Sequence, residues 1–492
     1  MFMPNPLLCV TVTASTTAEL RRKRDEVTEA DLVELRLDSV SDPSVAGALA
    51  GRRRPVIVTC RPTWEGGQFK GSEDDRKRML SEALALGAEY VDIEANARFT
   101  DLLDQSGGRH VVLSYHDFTG VPSDLAGRVQ AMRSTGAEVV KIAVEAQSLS
   151  DCVPLLDLGV QAGRQSGLVV IGMGTFGLVT RVLARRFGSM WTYAGAQAQV
   201  GQVSAATLLH DYRFRTLGES TDVYGLTGLP LSHSVSPAMH NAAFAAARLD
   251  AIYLPLPAAS AEDFVTFGRA IGIKGASITT PHKVSLCECV DEVYAVARRI
   301  GAINTIRVID GRWVGANTDV GGFLDPLTQR VPLAGVRVSV LGAGGAARAV
   351  AVALVSSGCK VRIHARNQQQ AEEVALRASA DVGPYPPEPD SWTVLVNCTP
   401  VGMHPNVDDT PLDASRLTGR YVYDLIYNPA VTRLMREAAQ AGCQTIGGLE
   451  MLVGQAHEQF EWWTGTRPPP GVMREAALKK LAEFRRDENY VV

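Results

Sequence analysis

Residues 336–350 read VRVSVLGAGGAARAV, and this stretch decides the fold of the second half of the chain. The β-branched run VRVSVL ends in Gly342, Ala343, Gly344, Gly345 and Ala346, then passes into AARAVAVALV, which has helical character. Gly342, Gly344 and Ala347 fall on G-x-G-x-x-G/A, a turn that lets the backbone approach a pyrophosphate at a helix N-terminus. A tight turn alone can give the same match, but a strand before it and a helix after it favour a Rossmann dinucleotide fold. About 20 residues further on, such folds usually place an acid against the ribose hydroxyls. Here the next strand ends in HARN, residues 364–367, with no carboxylate and with Arg366. That favours a 2'-phosphate and predicts NADP. The alternative is that Arg366 is a solvated loop residue.

Upstream, the first 200 residues alternate short apolar runs with amphipathic stretches. The runs are LLCVTVT (7–13), DLVELRLD (31–38), PVIVTCR (55–61), YVDIEA (90–95), HVVLSYHDF (110–118), EVVKIAV (138–144), LVVIGMG (168–174) and MWTYAG (190–195). Helix-like segments such as 74–86 and 124–134 lie between most of them, which argues for parallel strands with crossover helices. Eight such units predict a closed (β/α)8 (TIM) barrel. The alternation lapses in a polar stretch between Tyr212 and Asp222 and restarts at VYGLTGLP, so a domain boundary is placed there. The proline-bearing segment 383–389 reads as a surface loop.

The 492 residues fit two or three domains at about 150 residues each. Hydrophobic residues make up 46% and charged residues 21%, which suits a water-soluble globular chain. The 53 acidic and 49 basic side chains give a net charge of -4 with the basic ones scattered, which argues against nucleic acid or an acidic membrane as partner. No apolar stretch reaches the roughly 18 residues of a membrane span, and the opening MFMPNPLLCVTVT lacks a leader pattern. Eight dispersed cysteines match no metal spacing and read as reduced thiols, so no metal is expected and the expected location is cytoplasmic.

In a barrel, polar residues at the C-terminal ends of strands converge on one face. Glu34 and Arg36 end the second run, Arg61 the third, His116 the fifth and Lys141 the sixth, and Glu65 follows Arg61 by four residues. Lys141 interrupts an apolar strand, where an ammonium is costly unless paired or neutralised, and a desolvated lysine is a nucleophile toward carbonyls. The plainer readings are a Lys141 that snorkels to solvent and an ordinary Glu34–Arg36 ion pair. His116, between polar neighbours, is placed to serve as acid or base.

VELRLD, CRPTWEGG, SYHDF, KIAV and GLVTR, in that order, resemble type I 3-dehydroquinate dehydratase over about residues 7–212. The resemblance implies that Lys141 forms a Schiff base with the substrate ketone, that His116 moves protons and that Glu65 orients His116. It further implies that Glu34, Arg36, Arg61, Arg181 and Gln202 contact the substrate, with Arg181 gripping its carboxylate through two hydrogen bonds. Where that family's lid usually reads SAPGQ, this chain has AQVGQ, with Ala198 at the serine position.

In the second half, GLPLSHSVSPAMHN, SITTPHK, GAINT, ANTD and GGLEMLVGQ resemble shikimate dehydrogenase over about residues 222–485. The resemblance implies a catalytic pair of Lys283 and Asp319. It assigns Ser234, Ser236, Thr279, Asn304 and Gln455 to a polyhydroxylated substrate, places Tyr427 beside it, and gives NADP to residues 342–346 and Arg366. Ser277 departs from the commoner asparagine. On the residues alone, Ser-x-Ser before Pro237 is also a helix cap, and Lys283 an exposed residue on a helix's first turn.

Together the two resemblances imply a bifunctional lyase and oxidoreductase: dehydration of 3-dehydroquinate, then NADPH-dependent reduction of 3-dehydroshikimate to shikimate. The expected domains are a dehydratase barrel over 1–215, a substrate-binding domain over 222–328 completed by helices within 450–485, and a Rossmann domain over 329–449. The partners expected are small molecules. Arg21 to Arg24 is read as the wet face of a helix, Cys60, Cys287, Cys289 and Cys398 as buried thiols, and His240, His282 and His457 as satisfied polar groups.

Overall fold

The computed structural model describes residues 5–162, 167–232 and 234–488. The chain divides into two compact units, the first running to Thr221 and the second carrying nearly all of the remainder.

The first unit holds β1 (Leu7–Val12), β2 (Leu32–Arg36), β3 (Val56–Thr59), β4 (Tyr90–Glu94), β5 (Val111–Asp117), β6 (Val139–Glu145), β7 (Leu168–Met173) and β8 (Trp191–Ala194). They pair in parallel in the order β7-β6-β5-β4-β3-β2-β1-β8. No ladder joins β7 to β8 among the described residues. The seam is stitched instead by the Met190 amide to the Leu168 carbonyl (2.8 Å) and by the Val170 amide to the Ser189 hydroxyl (2.9 Å). The nearly closed barrel is the one that the alternation of the sequence predicts.

Period-two alternation determines what fills it. Cys9, Leu32, Ile57, Val112, Val139, Val169 and Trp191 form an apolar cluster inside the barrel, with Tyr90 packed against it. Two residues further along β1 to β6, the same face carries Thr11, Glu34, Thr59, Asp92, Ser114 and Lys141. A polar layer therefore lies directly on an apolar one. Lys141 is the third of seven residues in β6, deeper than the strand end at which the sequence reading set it.

The second unit contains two sheets. One is mixed, in the order Ala251–Pro257, Asp222–Gly228, Gly275–Ile278, Thr305–Ile309, Arg312–Ala316, Glu292–Val293. Helices Ser236–Ala246, Gly448–Thr464 and Val472–Glu488 cover it, around a core that includes Phe244, Tyr253, Phe460 and Trp463. The other sheet runs Asp381–Val382, Lys360–His364, Arg337–Leu341, Val394–Asn397, Tyr421–Asp424, Gln444–Gly447, all parallel, in the doubly wound order 3-2-1-4-5-6. Helix Asp319–Thr328 crosses helix Gly448–Thr464 through glycines: a Cβ on Gly322 would lie 2.5 Å from the Gln455 nitrogen, and one on Gly454 3.0 Å from the Gly322 Cα. Segment 383–389 lies in the connection after Asp381–Val382, as the prolines predict.

Three peripheral expectations are corrected. Arg24 is buried, because helical spacing puts it on the same face as Leu20, and it donates to the carbonyls of Ala48 (2.5 Å) and Ala50 (2.9 Å). Cys60 is buried, but Cys287, Cys289 and Cys398 are only partly so. Among the described residues His240 has no hydrogen-bond partner on either ring nitrogen. Its ring stacks on Tyr253 at 4.4 Å, and burial pushes its pKa down to about 3, so it packs as a neutral aromatic. Among the described residues no helix is long and apolar enough to cross a membrane.

Gly159, in helix Cys152–Ala162, packs directly on main chain: a Cβ there would lie 2.3 Å from the Phe187 carbonyl carbon. Alanine would gain about 1 kcal/mol in helix propensity, but main-chain atoms cannot yield as a side chain can, and overpacking costs about 1–3 kcal/mol or more. Gly159→Ala is therefore expected to lower the thermal midpoint of the barrel by several degrees in calorimetry, and an unchanged or raised midpoint would contradict this packing.

Candidate active sites

At the C-terminal mouth of the barrel, Glu34, Arg36, Arg61, Glu65, His116, Lys141, Arg181 and Gln202 line one cavity. All eight residues singled out in the first half of the sequence are thus brought together. Lys141 Nζ lies 3.0 Å from Asp92 Oδ2 and 3.8 Å from Glu34 Oε1, and 4.5 Å from the centre of the Tyr193 ring. It is buried and paired, and does not snorkel. Among the described residues Glu34 pairs with no arginine. It accepts from Thr11 Oγ1 (2.8 Å) and Thr59 Oγ1 (2.9 Å), while Arg36 makes two 2.8 Å bonds to Asp38.

Arg61 reaches back into the barrel, donating to Glu94 Oε1 (2.7 Å), Asp92 Oδ1 (2.8 Å) and Ser114 Oγ (2.9 Å). Burial opposes the charge on Asp92, but the Arg61 guanidinium and the Lys141 ammonium win, holding its carboxyl well below the usual carboxylate range. Glu94 also meets the buried Arg76.

His116 Nδ1 lies 2.9 Å from Glu65 Oε1, and the His116 amide donates to the same oxygen at 3.0 Å. With Nδ1 protonated, Nε2 is left as the free base. Burial, reinforced by the Arg61 and Lys141 charges, lowers the imidazole pKa well below its ordinary value, so the ring is neutral. Burial raises Glu65 to about 7, with the Glu94 and Asp92 charges adding to the effect and Arg61 opposing it.

Arg181 is buried, and among the described residues no carboxylate pairs with it. Its Nη2 donates to the Val200 carbonyl at 2.7 Å, its Nε has no partner, and desolvation lowers its pKa to about 10. A buried cation without a counter-ion is a ready anion site. Gln202 lies near Thr11 Oγ1 (3.4 Å) and accepts from the Gln197 amide (3.2 Å), while Ala198, at the serine position of the lid, is exposed.

In the second unit, Lys283 Nζ lies 2.5 Å from Asp319 Oδ2. Lys283 sits in a turn ahead of the short helix Ser285–Glu288, and not on a helical first turn; its carbonyl is fixed by the Ile303 amide at 2.8 Å. Asp319 is buried as the first residue of its helix. The Asn304 Nδ2 donates to Asp319 Oδ1 (2.7 Å) and lies 3.5 Å from Gln455 Oε1, so Lys283, Asp319, Asn304 and Gln455 form one cluster. Ser277, where asparagine is commoner, still ties its strand down: its hydroxyl accepts from Tyr253 Oη (2.7 Å) and donates to Gln459 Oε1 (2.5 Å). Gln459 in turn donates to the Asn304 carbonyl at 3.3 Å.

Ser234, Ser236, Thr279 and Tyr427 make no hydrogen bond to that cluster among the described residues. Ser234 Oγ accepts from the Ser236 amide (3.2 Å), but the N-cap of helix Ser236–Ala246 is Val235 and no side chain caps it, so the helix-cap reading is not met. Thr279 follows strand Gly275–Ile278, and burial raises the Tyr427 pKa.

The glycine turn fits a dinucleotide. Gly342 adopts φ +102°, a conformation that disfavours a side chain, and a Cβ on Gly344 would meet nothing within 4 Å. Helix Gly345–Ser356 starts there with no side-chain cap, leaving its amides free for phosphate. A Cβ on Gly345 would lie 3.6 Å from Lys283 Cδ, so the turn adjoins the Lys283–Asp319 pair. Arg366 is exposed but lines a cleft with Gln368, Gly383, Pro384 and Tyr385, none of them acidic. The residues fit NADP.

Sequence reasoning missed Asp92, Glu94, Ser114 and Gln459. YVDIEA did carry a signal: two acids at i and i+2 in an apolar strand share one face, as Glu34 and Arg36 do. Gln459, inside a helix rich in packing residues, carried none.

Both halves of the chain match known proteins. Residues 8–219 match the family described as Type I 3-dehydroquinase, residues 226–306 the Shikimate dehydrogenase substrate binding domain, and residues 448–478 the Shikimate 5'-dehydrogenase C-terminal domain. The bifunctional 3-dehydroquinate dehydratase/shikimate dehydrogenase of Arabidopsis thaliana, a chloroplastic protein, is 36% identical over 505 residues, covering 94% of this chain and 83% of its own length. The shikimate dehydrogenase (NADP(+)) of Symbiobacterium thermophilum is 43% identical over 277 residues, 53% of this chain and 94% of that protein. A crystal structure of shikimate dehydrogenase in complex with NADP+ superposes with a TM-score of 0.51 at 35% identity, covering 54% of this chain and 97% of that one. The chain belongs to the family of bifunctional 3-dehydroquinate dehydratases/shikimate dehydrogenases.

Proposed function

We propose that the barrel, residues 1–215, dehydrates 3-dehydroquinate to 3-dehydroshikimate, and that residues 222–328, with helices from 450–485 and the Rossmann domain 329–449, reduce that product to shikimate with NADPH. These are consecutive steps of the shikimate pathway, which feeds aromatic amino acid biosynthesis. The setting is cytoplasmic and the partners are small molecules, without nucleic acid. The observation that carries the reading is a buried lysine beside a neutral imidazole and an uncompensated guanidinium in one cavity.

In the barrel, Arg181 binds the substrate carboxylate, which sets the ketone near Lys141. The Lys141 ammonium gives a proton to His116 Nε2 and attacks the ketone carbon as the amine; a C–N bond forms, and His116 returns the proton to the carbinolamine hydroxyl, which leaves as water to give an iminium. His116 Nε2 takes a proton from the adjacent carbon, and the electron pair moves into the iminium to give an enamine. Return of that pair expels the β-hydroxyl, to which His116 delivers the proton, so water departs; hydrolysis of the imine then frees product and amine. Glu65 holds the imidazole in the tautomer this needs.

In the second unit, NADPH supplies the hydride when bound. Lys283 donates the proton that the substrate oxygen requires, and Asp319, held by Asn304, keeps the ammonium in place. Ser234, Ser236, Thr279, Tyr427 and Gln455 orient the hydroxyls and carboxylate of the substrate. Arg366 meets the 2'-phosphate.

With dehydroquinate and NADPH, Lys141→Ala is expected to abolish formation of the enone while leaving reduction of added dehydroshikimate intact. Lys283→Ala should do the reverse, slowing reduction by about 10²–10⁴-fold. Arg366→Ala should remove a charge-assisted contact of about 1.5–3 kcal/mol, raising the KM for NADPH by about tenfold or more with NADH use unchanged. Because Glu65 titrates at about 7, kcat/KM of the dehydratase should fall as pH drops below that value, and Glu65→Gln should lose this limb. The raised pKa also fixes a sign in stability: the fold favours protonated Glu65, so its contribution is present below about 4.5 and lost as pH rises through about 7. Glu65→Gln should gain on the parent in denaturant midpoint across that interval, and the opposite trend would contradict the assignment.

A further inference from the structure

The polar layer of the barrel holds a carboxylate to which the dehydration mechanism gives no task. Asp92 is fully buried on β4, and its two oxygens have different partners. Oδ1 is taken up by Arg61 Nη2 at 2.8 Å and by the Ser114 hydroxyl at 2.6 Å. Among the described residues Oδ2 has one hydrogen-bond partner, the Lys141 ammonium at 3.0 Å. The bonds on Oδ1 fix the plane of the carboxylate and leave Oδ2 aimed at Nζ. The other groups facing Nζ are Glu34 at 3.8 Å, already accepting from two threonines, and the Tyr193 ring; His116 and Cys9 lie close enough to interact electrostatically.

From this geometry we propose that Asp92 is the counter-ion of the Schiff base, accepting the N–H of the iminium on Lys141 and keeping it protonated through the removal of the adjacent carbon-bound proton. The proposal rests on the Schiff-base reading of Lys141. When the carbinolamine loses water, nitrogen keeps one hydrogen and one positive charge, so the iminium replaces the ammonium with no net change of charge at Oδ2. The arrangement of Arg61, Asp92, Ser114 and Lys141 can then persist from resting enzyme to adduct. A neutral imine is a far weaker electron sink, because the pair released on deprotonation would have to settle on an uncharged nitrogen. An anion at hydrogen-bond distance favours the charged form by about 1–3 pH units.

The test uses the full chain, with kcat and KM for dehydroquinate followed from neutral to alkaline pH. It also uses mass-spectrometric capture of the adduct on Lys141 with cyanoborohydride, which reduces the iminium and not the neutral imine. For Asp92→Asn, kcat should fall by about 10²-fold while KM changes only a few-fold, and the alkaline limb of kcat should move down by about 1–3 pH units. Adduct should be captured at neutral pH but lost at alkaline pH values where the parent is still captured. A kcat within about threefold of the parent, or an unshifted alkaline limb, would overturn the proposal. A packing role alone would lower activity without moving the limb.

If Asp92→Asn captures no adduct at any pH, Ser114→Ala decides. It keeps every charge and removes one bond from Oδ1, so a smaller downward shift of the limb supports the proposal and an unmoved limb overturns it. Absence of adduct on Lys141 in the parent, despite turnover, would sink the Schiff-base reading itself. A captured parent adduct with an unaltered Asp92→Asn profile would sink only the counter-ion.

Discussion

Taking a lysine ammonium out of water costs several kcal/mol unless a carboxylate is fixed beside it, and both halves of this chain are arranged around that requirement. In the barrel the partner of Lys141 is Asp92, and in the second unit the partner of Lys283 is Asp319. The surroundings depend on what each carboxylate needs in its turn. Asp92 is buried inside the barrel, so it is braced by a guanidinium and a hydroxyl, and the guanidinium is balanced by Glu94, which a second arginine pairs in turn. Asp319 stands at the start of a helix and is braced by a neutral amide. One site is a charge lattice, the other an amide network.

That contrast matches the chemistry proposed for each. Carbon acid chemistry through an imine needs a positive nitrogen maintained at one spot, and a lattice of fixed charges maintains it without reorganisation. Transfer to a carbonyl needs a proton source and a set of partners for several hydroxyls, which amides and hydroxyls supply at less desolvation cost. The neutral imidazole of His116, held by a carboxylate that itself titrates at about 7, is a product of the same burial.

Much of this could be read in the sequence, for identifiable reasons. Lys141 stood out because a charge inside VVKIAV conflicts with the apolar run around it. The glycine turn stood out because strand, turn and helix each carry local signals. Asp92 was visible in YVDIEA yet stayed unread, because its meaning depends on Arg61 and Lys141, which lie 31 and 49 residues away along the chain. Arg24 looked solvated as one of four neighbouring cations, but helical spacing turns it inward toward carbonyls that sequence does not place. Ser277 and Gln459 meet across 182 residues, and neither residue type announces a partner.

The glycine crossing between helices Asp319–Thr328 and Gly448–Thr464 has a bearing on how the second site keeps its dimensions. Where side chains set the gap between two helices, a change of rotamer can widen or narrow it. At Gly322 and Gly454 the main chains themselves are in touch, so the gap has no such adjustment. Asp319 begins one of these helices and Gln455 lies on the other. The span between their side chains is therefore tied to the thickness of two polypeptide backbones, a dimension that repacking of the surrounding core cannot alter.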